Sequence, residues 1–69
     1  MTDKDIKHNL NKKVIYNKAS EGLKIPCILT GGIIRKGKDG YFYQAELKEE
    51  KTGCIIYGKL EDCEAENNG

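Results

Sequence analysis

Between Leu23 and Leu60 apolar and polar residues alternate with a period of two, the spacing of strands that bury one face. On Tyr41–Lys48, Tyr41, Tyr43, Ala45 and Leu47 share one face, and Phe42, Gln44, Glu46 and Lys48 share the other. On Cys54–Leu60, Cys54, Ile56 and Leu60 share a face with Gly58 between them, opposite Ile55, Tyr57 and Lys59. Ile25, Cys27 and Leu29 alternate with Pro26, Ile28 and Thr30. Two apolar runs meet across Gly37-Lys38-Asp39-Gly40. Asp-Gly between β-prone runs predicts a hairpin, because the tight turn needs a positive φ that glycine adopts without steric cost.

The same reading covers the rest of the chain. Val14–Tyr16 is a first short strand, followed by a turn over residues 17–22. Ile25–Thr30 and Ile33–Lys36 form one bent strand or two, with Gly31-Gly32 marking a bulge or sharp bend. Pro26 cannot donate a ladder hydrogen bond, so the start of this region belongs on an edge or in the first residues of a strand. Residues 49–53 are a charged turn. Thr2 caps a short helix with Ile6 and Leu10 one turn apart, and two apolar residues hold such a helix only if it docks on the sheet. The expected fold is mainly β: a small antiparallel meander of four or five strands, left open or closed into an SH3-like barrel, with a short N-terminal helix. Residues 1–62 form one β domain and 63–69 a flexible acidic tail.

The face opposite the core is not cleanly polar. It carries Phe42, Ile55, Tyr57 and Ile28, more apolar surface than a solvated sheet face normally shows. Barrel closure, cover by the N-terminal segment through Ile6 and Leu10, or an interface with a partner or second copy would each account for it.

Length and charge narrow the picture. Sixty-nine residues make one domain with a thin core. No apolar run approaches a membrane span, and the start Met-Thr-Asp-Lys-Asp lacks the apolar core of a signal peptide, so a cytoplasmic location is expected. The three cysteines have no short motif spacing and are read as free thiols, Cys27 and Cys54 on core faces and Cys63 reactive in the tail. The net charge of +1 conceals nine basic and three acidic residues in 1–38 against three basic and eight acidic in 39–69. That asymmetry points to a charged partner, self-association or a solvated surface.

Catalytic chemistry is sparse. The single histidine, His8, has no spacing that pairs it with a nucleophilic cysteine. His8, Cys27, Cys54 and Cys63 are a zinc-type set without the close ligand pairs that zinc sites use. The glycines lack a phosphate-loop context. The expectation is a non-enzymatic protein with no cofactor and no metal. A protein-binding surface is drawn on Tyr41, Phe42, Ile55 and Tyr57, with Glu49 and Glu50 available to a basic partner. The alternative is a small nucleic-acid-binding barrel using Arg35, Lys36 and Lys38 beside the aromatics. A homodimeric structural protein is a second alternative.

Val14-Ile15-Tyr16-Asn17, Ile28-Leu29-Thr30-Gly31, Ile33-Ile34-Arg35, Tyr41–Leu47 and Gly53-Cys54-x-x-Tyr57-x-x-Leu60-Glu61-Asp62 together resemble a pattern in short accessory proteins of Gram-positive (Firmicute) phages and mobile elements. The resemblance covers about residues 14–62. It implies a stand-alone binder that blocks or redirects a host or defence complex, as anti-CRISPR proteins do, and it carries no catalytic residues with it.

Overall fold

The computed structural model describes residues 1–65. One helix, α1 (Asp3–Asn9), precedes five strands: β1 (Lys13–Lys18), β2 (Leu23–Gly37), β3 (Gly40–Glu49), β4 (Ile55–Lys59) and β5 (Cys63–Ala65). Single 3-10 turns at Ala19–Glu21 and Leu60–Asp62 join β1 to β2 and β4 to β5. The strands form one antiparallel sheet in the order β4-β3-β2-β1-β5. The expected tail from Cys63 is corrected in part. Cys63–Ala65 pair with Val14–Tyr16 as the fifth strand, because the Cys63 side chain is drawn into the core. The remainder of that tail lies outside the described residues. No helix among the described residues is long and apolar enough to cross a membrane.

The glycine pair does not divide β2. Leu29 pairs with Leu47 and Gly31 with Glu46, so Thr30 is the extra residue of a bulge. Its hydroxyl lies 3.0 Å from the Glu46 carbonyl oxygen and 2.8 Å from Glu46 Oε1. Gly32 has a different task. A Cβ there would lie 2.8 Å from Ile6 Cδ1, so the bare backbone is the seat on which α1 docks. Pro26 sits where β2 runs past β3, whose last pair is Cys27 with Glu49. Its carbonyl accepts the Glu50 N–H at 3.3 Å on that open side, so no ladder donor is missed.

The hairpin turn also differs in detail from the Asp-Gly expectation. Lys38 and Asp39 are its two central residues, and the positive φ, 122°, belongs to Gly40 just after them.

The core lies on one face. Val14, Cys27, Leu29, Ala45, Leu47, Leu60 and Cys63 are buried, with Met1, Ile6, Tyr16, Ile25 and Ile56 packed against them. This is the face that the alternation selected. α1 covers it through Ile6, while Leu10 ends the helix exposed. The N-terminal segment therefore covers the core and not the opposite face.

The sheet curls around this core without closing. β1 and β4 are separated by two strands, yet the Tyr16 ring lies on the Gly58 backbone. A Cβ on Gly58 would fall 2.8 Å from Tyr16 Cζ and nearer still to Cε1. The SH3-like barrel alternative is not realised, because β4 and β5 remain unpaired edges. The reason is local: after Lys59 the chain leaves the sheet in a 3-10 turn that drives Leu60 into the core.

α1 carries its own cap. The Thr2 N–H and the Thr2 hydroxyl both donate to Asp5 Oδ2, at 2.9 and 3.0 Å. These bonds hold the Asp5 carboxyl below its ordinary value of 3.8. A depressed folded value means that the cap's contribution is present above the unfolded value and lost as pH falls through the folded one. An NMR titration is expected to place the Asp5 midpoint below 3.8, with the Thr2 amide shift following the same curve.

Gly58→Ala must displace a ring that the core holds in place, so it is expected to destabilise the protein by roughly 1–3 kcal/mol. Gly32→Ala meets only the end of a flexible isoleucine and is expected to cost less. Guanidinium denaturation of the two variants checks the order, and equal midpoints would refute it.

Candidate functional site: a groove on the hairpin arm

β1 pairs with β2 only over Leu23–Ile28, and β4 pairs with β3 only over Gln44–Lys48. Beyond those limits β2 and β3 continue together as a two-stranded arm ending at Lys38-Asp39. The core face of the sheet runs out along this arm. There Ile34 stands opposite Tyr43, and Lys36 opposite Tyr41. Among the described residues no strand or helix covers these side chains, and Ile34, Tyr41 and Tyr43 are 60%, 74% and 38% exposed. They are direct and diagonal neighbours, so they form one continuous apolar area.

A groove of about 710 Å3 lies against this arm. The hairpin residues Gly37–Tyr43 form one side, and Met1–Asp3 and Lys59–Glu61 the other. Met1 is held there by its nitrogen, which donates to the Cys63 carbonyl at 3.2 Å. The charged side chains lining the groove are Lys38 and Lys59 against Asp3, Asp39 and Glu61. Lys59 and Glu61 approach to 3.9 Å, an exposed pair of little energetic weight. The groove therefore has no net positive field to attract an anion.

The residues drawn from the sequence as a protein-binding set do not form one patch. Tyr41 and Phe42 line the groove. Their side chains alternate to opposite faces of β3, and the Phe42 ring folds back over Gly37, 3.3 Å from where a Cβ would stand. Ile55 and Tyr57 lie on the outer face of β4. Tyr57 is opposite Glu46, four residues along β3 from Phe42, which is roughly 13 Å of strand. Glu49 and Glu50 are at the far end of β3 from Tyr41, where Glu50 lies 3.6 Å from Lys13 Nζ.

Across the outer face, apolar and charged side chains interleave. One row reads Ile55, Lys48, Ile28, Lys13; others pair Tyr57 with Glu46 and Phe42 with Arg35. Ile55, Ile28, Tyr57 and Phe42 thus each have a charged residue directly opposite, about 5 Å away, whereas Ile33 stands opposite Gln44 and Ile15 opposite Pro26. On the inner face of the arm, by comparison, Ile34 is directly opposite Tyr43, and only Lys36, opposite Tyr41, carries a charge.

The basic set is divided as well. Lys38 lines the groove and Lys36 flanks Tyr41, whereas Arg35 is on the outer face, where its Nε donates to Gln44 Oε1. The sequence reading did not place Ile34, Tyr43, Lys59 or Met1–Asp3 in a site. Tyr43 and Ile34 were accessible from alternation alone, since both share the face of Ala45 and Leu47. The approach of Met1–Asp3 and Lys59–Glu61 to the arm depends on the curl of the sheet and has no local signal.

Cys54 and Cys63 reverse the expectation from the sequence, while Cys27 lies in the core as expected. Cys63 is buried, donates to the Lys59 carbonyl at 3.5 Å, and burial pushes its thiol up to about 11. Cys27 is buried and raised for the same reason, with Glu49 and Glu50 adding to the effect. Cys54 is exposed in the turn before β4. His8 is exposed on α1. No family model, curated protein or solved structure matches this chain significantly.

Since the thiolate is the reactive form, Cys54 alone is expected to react rapidly with a disulfide reagent at pH 8. Mass spectrometry should show one label on the native protein and three after denaturation. A label on Cys63 in the native protein would contradict its burial.

Proposed function

We propose that this chain is a non-enzymatic protein-binding module that seats an apolar segment of a partner polypeptide in the groove beside the hairpin arm. The observation that carries the reading is the contiguous exposed apolar area of Ile34, Tyr41 and Tyr43 on the two-stranded arm that extends from the curled sheet. Exposed aromatics on a fixed backbone lose little entropy when they are buried by a partner, which is why such residues dominate binding energy. The balanced charge of the groove favours a polypeptide over a polyanion. The resemblance to mobile-element accessory proteins supports a host or defence complex as the partner, with inhibition by occupancy of its surface.

A second reading has one observation in its favour. Tyr41 and Tyr43 stand roughly 7 Å apart on one face, with Lys36 and Lys38 close by. That is a workable platform for stacking two bases of a single strand. Three carboxylates in the same groove oppose it.

Tyr41→Ala and Tyr43→Ala remove side chains outside the core, so both variants are expected to keep the wild-type denaturation midpoint. Each is expected to weaken capture of the partner from host extract by on the order of tenfold or more, and nuclease should leave wild-type capture intact. Capture unaffected by either substitution would remove the site. Capture abolished by nuclease, with a gel shift that weakens steeply as salt rises, would support the nucleic-acid reading instead.

A further inference from the structure

We infer that the partner segment binds the groove as an added β-strand, hydrogen-bonded to the open edge of β3 at Gly40–Tyr43. The inference rests on the groove reading and deepens it by specifying an extended, uncharged polypeptide. β3 has a strand beside it only from Gln44 onward, because its last partner is Lys59 and the chain then turns into the core at Leu60. Among the described residues the line of β4 is therefore vacant along Gly40–Tyr43, and the groove lies against that edge. Four residues of edge measure roughly 13 Å, enough for a short strand.

The hairpin geometry aims this edge. A two-residue loop closed by Gly37 and Gly40 requires that pair to exchange both hydrogen bonds. Alternation along the arm then makes Tyr41 and Tyr43 members of the intervening pairs, whose N–H and C=O groups point away from β2. Their backbone polar groups face the vacant strand position while their side chains flank it. Exposed edges are usually blunted by proline, bulges or inward charges. Between Gly40 and Tyr43 there is none of these, only Gly-Tyr-Phe-Tyr. Charge complementarity selects the occupant: with Lys38, Lys59 and the Met1 ammonium balanced by three carboxylates, a chain of phosphates finds no net positive charge here, whereas a peptide with alternating apolar side chains meets tyrosines and backbone donors.

The experiment uses the full chain as bait for a phage-displayed library of linear heptapeptides. A selected peptide is then titrated into labelled protein while amide exchange is read. Expected is enrichment of peptides rich in β-branched and aromatic residues, with exchange at the Tyr41 and Tyr43 amides slowed about tenfold or more. N-methylation of alternate peptide nitrogens is expected to weaken binding about tenfold per lost bond, the high end for a single hydrogen bond. A peptide that binds Tyr41 and Tyr43 side chains without protecting these amides, and tolerates N-methylation, overturns the strand addition but leaves the groove as a binding site. Peptides that map elsewhere, or no enrichment over background, overturn both. A deoxythymidine 15-mer that competes with the selected peptide, or light scattering that shows the arm occupied by a second copy, overturns the polypeptide assignment in favour of that occupant.

Discussion

The curl that lays the Tyr16 ring on the Gly58 backbone is the constraint on which the molecule depends. A flat five-stranded sheet would expose most of one apolar face, and the short α1, docked through Ile6, covers only part of it. Curling lets the sheet act as its own second layer. Gly58 is what makes the approach possible, since any side chain there would hold β4 away from β1. The seven buried residues come from β1, β2, β3, β5 and the Leu60 turn, and Ile56 of β4 packs against them. With so small a core each member matters: a Leu29 or Leu47 truncation removes roughly 2–5 kcal/mol from a total that for such domains is about 5–15 kcal/mol.

The same curl explains the functional surface. Leu60 fills the mouth of the concave face only if β4 stops at Lys59, and that stop strips β3 of its neighbour from Gly40 to Tyr43. On the other strand of the arm, Gly32 receives Ile6, so α1 seals the core just short of Ile34. The boundary between core and groove is thus set at two points, one on each strand. Residues on a single alternating face divide there: Ala45 and Leu47 are buried, Tyr43 and Tyr41 are not. The bulge at Thr30 keeps this face continuous, because without the extra residue Ile34 would turn to the outer side.

Apolar content on the outer face is a poorer guide to binding than its amount suggests. Phe42, Ile55 and Tyr57 are all exposed, yet register sets each beside Arg35, Lys48 or Glu46. Contiguity, and not the number of exposed apolar residues, separates a docking surface from a solvated one. The arm meets that condition with Ile34, Tyr43 and Tyr41.

The sequence by itself determined the strands other than β5, the hairpin and the buried face, because these follow from period-two alternation and local turn chemistry. Tyr41, Tyr43, Ala45 and Leu47 could be placed on one face without any contact being known, and Thr2 could be read as a helix cap. The sequence also marked Gly31-Gly32 as a bulge or bend, without showing what Gly32 receives, and gave Gly58 no role. Only the tertiary structure decided that Gly32 seats Ile6, that Gly58 seats Tyr16, and that Cys63 is a buried strand residue while Cys54 is exposed. It also decided where along one face burial ends, and hence that Tyr41 and Tyr43 line a groove instead of extending the core. These outcomes depend on how far the sheet curls and where β4 leaves it. Both are set by contacts between residues far apart in the chain, which no local pattern encodes.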